Sequence, residues 1–193
     1  MTADRDATTA DVVARVDRVL LDLRALGAAI EGLDLGYPAE PATFEEGAAA
    51  SRLEAVVALV AGPIPGDYAH CLRRCAGFVG MDFHNGYVMH TPEEVVRHLR
   101  QAGTPTRVTT ADGAVPVLPV AADGGGNLFL LRLRAPHTVL RWDHELGGTH
   151  DTLPADHAAL RPVSDDFGSL LERIRDDWRH FLGPAPASWT YLT

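Results

Sequence analysis

The nine histidines of this chain are the residues that most suggest a metal site. His84 and His90 lie six residues apart, and the segment 143–145, which contains one histidine between two acids, precedes His150 and His157. No HExxH motif occurs, and the spacing around residue 150 is irregular, whereas zinc sites use short recurrent spacings. We interpret the histidines as surface or structural residues and predict no metal site, with a metal-dependent enzyme as an alternative.

A glycine-rich segment, Asp123-Gly-Gly-Gly-Asn127, has the composition of a phosphate-binding loop. Such loops place backbone amides at the start of a helix, and the best-known motif adds a lysine. All 17 basic residues of this chain are arginines, and the residues after Asn127 predict a strand. Because glycine and asparagine readily adopt positive φ, we predict that the segment is a hairpin turn.

The patterns of nucleophilic and acid–base catalysis are also missing from the sequence. None of the four serines lies in a GxSxG motif. Paired acids such as Glu93 and Glu94 are sequence neighbours and do not share a helix face. Cys71 and Cys75 lie four residues apart on an apolar helix face without a second pair of ligands, which indicates buried cysteines that act as small hydrophobes. We therefore predict no catalytic residue, no cofactor and no enzymatic activity.

The charge and hydropathy of the chain limit its partners. The net charge of −9 disfavours nucleic acid, because phosphates would be repelled, and it favours a basic protein. No apolar run approaches the roughly 18–20 residues that cross a membrane. The N-terminal residues are polar and acidic, unlike a secretion signal, so we expect a cytoplasmic protein that binds no membrane.

Hydrophobic periodicity and capping residues predict five helices. They cover about 10–30, 48–60, 66–76, a short segment after Thr91, and 165–182. Thr91 and Glu94 form a capping box with Pro92 at the first helical position, and Ser164 is the predicted cap of the last helix.

The predicted strands cover 78–83, 87–90, 107–110, 115–121, 127–134 and 139–143, and a loop covers 147–162. Short turns such as Asn85-Gly86 join them, so neighbouring strands should be antiparallel. Arg132 and Arg134 alternate with leucines, which predicts a strand with one wet face. Trp142 faces either the core, which we favour, or a partner.

These elements predict an α+β fold with a mostly antiparallel sheet of about five to six strands flanked by helices. The chain divides into a helical extension over residues 1–45, a domain over 46–183 and a tail over 184–193.

Several motifs, taken in order, resemble the SUKH superfamily, whose members are related to a yeast regulator of cell-wall synthesis. The first part of the resemblance is Leu53-Glu54 followed by the segment 64–68, which reads Ile-Pro-Gly-Asp-Tyr. The second part is the strand–turn–strand segment 117–145 and the start of the last helix at Phe167. Ile64 and Ala76 depart from the leucine and asparagine usual in the family, and residues 1–45 have no counterpart.

The resemblance implies an α+β fold without a catalytic site, and a bacterial immunity protein that binds and neutralises a cognate toxin, often a nuclease. The charge of this chain favours a basic toxin. The residues that we predict to contact the partner surround two turns and the end of the last strand: Asp82, His84, Asn85, Tyr87, Asp143, His144 and Glu145. A scaffold or regulatory module that binds another protein is the alternative. The sequence leaves the oligomeric state open.

Overall fold

The structure is a computed structural model, and it describes residues 9–33, 40–60, 62–80, 86–148, 150–183 and 192. The described residues form six helices and nine strands. The helices are α1 (Thr9–Glu31), α2 (Ala50–Val57), α3 (Gly66–Arg74), α4 (Pro92–Arg100), α5 (His144–Gly147) and α6 (Phe167–Leu182). The strands are β1 (Thr43–Phe44), β2 (Phe78–Gly80), β3 (Tyr87–Met89), β4 (Arg107–Thr110), β5 (Gly113–Asp123), β6 (Leu128–Arg132), β7 (Val139–Trp142), β8 (Thr152–Pro154) and β9 (Leu160–Ser164).

The sheet is open and almost entirely antiparallel. Seven strands follow the order β1-β2-β3-β5-β6-β7-β9, and each neighbouring pair is antiparallel. β4 pairs antiparallel with the first part of β5 and parallel with β8. The predicted fold class is therefore confirmed, although five to six strands was too few. β1, β8 and the first part of β9 lie in segments predicted as connector or loop, because β1 has only two residues and the short strands β8 and β9 each contain a proline, so they carry little strand signal.

The two faces of the sheet are buried under different elements. The main core joins the five longer helices to one face, whereas a smaller core on the other face lies under β4 and β8. In β6, Phe129 and Leu131 enter the main core, while Leu128 and Leu130 enter the smaller one. The predicted wet face of this strand is wrong, because residues 128–131 are buried on both faces.

Side-chain caps fix the starts of α4 and α6. The predicted capping box of α4 is present: Glu94 N donates to Thr91 Oγ1, and Thr91 N donates to Glu94 Oε2. The cap of α6 is Asp166, whose Oδ1 accepts from Ser169 N at 2.6 Å. The prediction of Ser164 was wrong, because that residue ends β9, and the helix begins two residues later than expected.

The predicted N-terminal extension is packed into the main core. Val16, Val19 and Leu23 of α1 are buried there, and Arg15 donates to Asp166 and Glu172 of the last helix segment. At the other terminus, Leu192 is also buried, and its N–H donates to Asp177 Oδ2. Within the described residues, no helix is both long and apolar enough to cross a membrane.

Candidate functional site

The described residues among the predicted contacts lie at one end of the sheet, which we call the rim. It consists of the start of β3, the turn between β5 and β6, and the segment 143–148 after β7. Gly124 N donates to Gly86 O at 3.3 Å, so the first two of these parts meet. Asp82, His84 and Asn85 lie outside the described residues. The strands on either side of them pair as the predicted hairpin, with Gly80 opposite Tyr87.

Tyr87 is a core residue and not a contact residue. Only 1% of its surface is exposed, and its hydroxyl donates to Asp177 Oδ2 at 2.6 Å. Burial raises the pKa of the phenol, and the nearby carboxylate of Asp177 raises it further. The prediction that Tyr87 contacts a partner is corrected accordingly, because its position in β3 turns the ring toward the helices.

The glycine-rich turn between β5 and β6 is held by one buried carboxylate. Asp123 Oδ1 accepts from the backbone N–H groups of Gly125 and Asn127, both at 3.0 Å. Its Oδ2 accepts from Arg141 Nη2 at 3.0 Å, and the Asp123 side chain is fully buried. Gly126 has φ +85°, as a turn of this kind requires. The segment is therefore the predicted connector, and its amides face its own aspartate.

Asn127 links the turn by hydrogen bonds to the segment after β7. Its Nδ2 donates to both oxygens of Asp123, at 3.1 and 3.0 Å, which fixes the orientation of the amide. The Asn127 Oδ1 atom therefore faces His144 and accepts from its backbone N–H at 3.4 Å and from its Nδ1 at 3.3 Å. A buried network thus positions a side chain at the surface.

The segment 143–147 was predicted as a strand end followed by a loop, but it forms a short helix, α5. Asp143 caps it, since its Oδ1 accepts from the N–H groups of Glu145 and Leu146. His144, Glu145 and Leu146 are exposed, and Leu146 is 60% exposed. Gly147 has no room for a side chain, which would overlap the indole of Trp142. The rim therefore presents an apolar side chain beside two carboxylates.

A cleft of about 290 Å³ lies between α5 and the end of α4. Its volume approaches the lower end of the range of small-molecule sites. Part of the wall comes from α4 and the residues after it, and part comes from the rim. The lining residues are His98, Gln101, Ala102, Gly103, Thr104, Gly126, Leu128, Trp142, His144 and Gly148.

Two nitrogen atoms of the cleft residues are buried without a hydrogen-bond partner in the described part of the chain. They are His98 Nδ1 and Trp142 Nε1. Trp142 is 7% exposed, which confirms the prediction that it belongs to the core. His98 stacks on His90 with 4.6 Å between ring centroids. Burial, together with the neighbouring His90 and Arg97, lowers the pKa of His98 to about 4, so this imidazole is neutral at physiological pH.

The cysteines and the remaining histidines form no metal cluster among the described residues, where no group of three or more potential ligands comes together. Cys71 and Cys75 are buried and reduced, as predicted from their spacing. Burial raises the pKa of the Cys71 thiol, whose sulfur lies 3.7 Å from the sulfur of Met89. These residues are core components.

Sequence reasoning missed the half of the cleft that α4 and the following turn provide. His98 and Thr104 belong to a segment whose only sequence signal was a helix end, and they meet the rim through tertiary packing. Neither the protein-family models nor the curated proteins include a match to this chain.

Proposed function

We propose that this chain is a non-enzymatic protein-binding domain, an immunity protein of the SUKH kind that binds and neutralises a cognate basic toxin in the cytoplasm. The observation that carries the proposal is the surface of α5, where the exposed Leu146 follows the acidic residues Asp143 and Glu145. The resemblance of the sequence supplies the toxin as partner, and the net charge of −9 supports a basic one.

The rim has the features of an energetic centre for binding. Leu146 exposes 60% of its surface, so a partner can bury additional apolar area there. The backbone beneath it is already ordered by the Asp143 cap and by the bond from His144 to Asn127. Because little ordering is required on association, more of the contact energy is retained as affinity. Asp143 and Glu145 would act mainly on the association rate.

The test measures binding to the toxin domain that the adjacent gene encodes. We expect a tight complex whose association rate falls as salt rises, because exposed charges are screened. Leu146→Asp should weaken binding by about tenfold or more, the loss of one buried apolar anchor. Leu21→Asp is the matched control, since Leu21 is 68% exposed on α1 and should leave binding unchanged.

Rescue of a toxin-expressing host provides the functional measurement. The wild-type chain and the Leu21→Asp variant should restore growth, whereas Leu146→Asp should not. Purified toxin domain that neither binds the chain nor is neutralised by it would contradict the proposal. Specific capture of an unrelated regulatory protein through the same rim would replace it with the scaffold alternative.

A further inference from the structure

Leu192 is bound to the domain in the way that a residue of a peptide ligand is bound. It lies outside the helices and strands, yet only 4% of its surface is exposed, and it belongs to the main core. Its N–H donates to Asp177 Oδ2 at 3.1 Å, and its carbonyl oxygen accepts from Arg161 Nη2 at 3.5 Å. Side chains of α6 and β9 thus satisfy backbone groups that a helix or a sheet would otherwise pair.

The carboxylate of Asp177 is oriented by the domain and not by Leu192 alone. Asp177 is 2% exposed, and the hydroxyl of Tyr87 donates to the same Oδ2 atom at 2.6 Å. Arg173, one turn earlier in α6, places its Nε atom 3.9 Å from Oδ1 and offsets part of the buried charge. A buried carboxylate is costly unless donors surround it, so any occupant that replaces Leu192 should present an N–H to Oδ2.

The elements that supply this site are held together by contacts of their own. β3 pairs with β2 and β5, and β9 pairs with β7, so their places in the sheet do not depend on Leu192. The site then has three parts: a carboxylate for an N–H, a guanidinium for a carbonyl oxygen, and an apolar pocket in the core. These parts match the three groups of one leucine residue within a peptide.

We propose that this is a recognition site for a leucine-containing peptide, and that Leu192 of the chain itself occupies it reversibly. Residues 184–191 join Leu192 to the end of α6, and so short a connection gives a local concentration of the order of millimolar. Release of Leu192 breaks its two backbone hydrogen bonds and no strand pair, because the residue lies in no strand. The site does not depend on the toxin proposal.

Hydrogen exchange in the wild-type chain tests whether the occupancy is reversible. We expect the Leu192 amide, followed in ¹H–¹⁵N NMR spectra, to exchange at least about tenfold faster than the amides of β5 and β6. Its exchange should occur through a local opening, which low concentrations of urea do not accelerate. Exchange at the rate and urea dependence of those strands would overturn the proposal, since Leu192 would then leave its site only on global unfolding.

A peptide added in trans tests recognition. The probe is the acetylated peptide of residues 184–193, titrated calorimetrically into the full chain with Leu192→Gly, which empties the pocket. We expect saturable binding. The same peptide with Leu192→Asn, a neutral side chain of similar shape, should bind at least about tenfold more weakly, because the burial of the leucine is lost. Equal binding of the two peptides, or no binding to the folded variant, would contradict the proposal. The exchange measurement needs no variant and remains decisive if Leu192→Gly does not fold.

A pair of arginine variants tests the polar part of the site. Arg161→Gln, combined with Leu192→Gly in the full chain, should weaken binding of the peptide about threefold or more, because the contact with the carbonyl oxygen is lost. Arg134→Gln is the matched control, since Arg134 is exposed after the end of β6 and should leave the affinity unchanged. Equal affinities in the two variants would remove Arg161 from the site.

Adding the toxin domain to the wild-type chain distinguishes the source of the peptide. A shifted Leu192 amide signal together with faster exchange identifies a peptide of the partner as the competing ligand. An unchanged signal in the complex assigns the site to the chain's own segment. Because the exchange and peptide experiments contain no toxin, their failure and the failure of the toxin proposal are observed separately.

Discussion

The two faces of the sheet bury their side chains in different ways. The helix-covered face is aromatic, with Trp178 packed edge-on against Phe44 and Phe78 at centroid distances of 6.4 and 5.9 Å. The face under β4 and β8 is mainly aliphatic, and Trp142 is the aromatic residue of its buried cluster. The first core joins helices from both ends of the described chain, whereas the second joins short strands.

The two cores therefore have different roles. The main core mainly determines the stability of the fold, and the smaller core mainly determines the geometry of the rim. Large rigid side chains in the main core bury much area and leave little space for relaxation. The smaller core ends at the cleft, where Trp142 belongs to both the packing and the lining. Substitutions in the first core should therefore act on unfolding, and substitutions in the second should act more strongly on the rim.

Trp178→Ala should have the largest effect on stability. The side chain is fully buried, and a Cβ at Gly80 would overlap its ring, so the site is tightly packed. We expect a loss of about 4 kcal/mol in the free energy of unfolding, measured by urea titration. Trp142→Ala should cost about half as much, because the adjoining cleft admits water. Equal losses would break the comparison between the two faces.

Asp123→Ala should follow, with a loss of about 3 kcal/mol. It leaves Arg141, whose side chain is 15% exposed, without its carboxylate, and it leaves the N–H groups of Gly125 and Asn127 unpaired. The backbone amide signals of α5 in ¹H–¹⁵N NMR spectra should also shift, since Asn127 loses its fixed orientation. Asp112→Ala, at an exposed turn, should change stability by under about 0.5 kcal/mol. Unchanged α5 signals would contradict the link from turn to rim.

A pH titration of stability should show the next effect. The pKa of His98 falls from 6.5 to about 4 in the folded chain, so the unfolded chain binds its proton first as the pH decreases. Stability should therefore be highest above about pH 6.5 and decline toward pH 4. His90, whose pKa burial also lowers, contributes in the same direction, whereas Glu94 partly opposes the shift at both rings.

His98→Gln should reduce the slope in this window when urea midpoints are compared from pH 7 to pH 4. Loss of the paired carboxylates is a separate event at lower pH. Burial alone would raise the pKa of Asp166, but hydrogen bonds from Ser169 and Arg15 outweigh it and lower the pKa below 3.8. An unchanged slope in the variant would show that His98 is not the group that titrates.

Thr91→Ala should have the smallest effect, a loss of about 1 kcal/mol. The substitution removes one half of the capping box of α4, which extends from the main core at Val95 to the cleft at His98. Thermal or urea unfolding measures the loss. If the NMR signals of His98 also shift, α4 couples the two faces of the sheet. If they do not, the two faces are energetically independent.

Local patterns predicted much of the fold. The hairpin pairing of β2 with β3, the capping box of α4 and the glycine turn at Gly126 all depend on neighbouring residues, and they were found as expected. Ser164 and Asp166 are both good caps two residues apart, so local sequence could not choose between them. The second buried face of β6 was missed, although residues 128–131 form a continuous apolar run typical of strands buried on both faces, because Arg132 and Arg134 alternate with leucines at the end of the strand.

In the candidate site, too, the features that depend on neighbouring residues were predicted, and those that depend on tertiary packing were not. Segment 143–145 was predicted to lie at the surface because it ends a strand, and the structure places it at the rim with His144 and Glu145 exposed. Tyr87 was misplaced because alternation predicts two faces of a strand but not which one is covered. His98 and Trp142 are 44 residues apart in sequence, and only the tertiary packing of α4, which contacts β5, brings them to one cleft.

β8, one of the two strands over the smaller core, should open locally more easily than the rest of the sheet. β8 pairs with β4 through three parallel residue pairs, and its strand partners in the described chain include no other element. Few backbone bonds must break to release it, although Leu153 is almost fully buried beneath. Its amides should therefore exchange with solvent hydrogen well before those of β5 and β6. The side of the sheet that borders the cleft would then open locally, while the side covered by the helices stays folded.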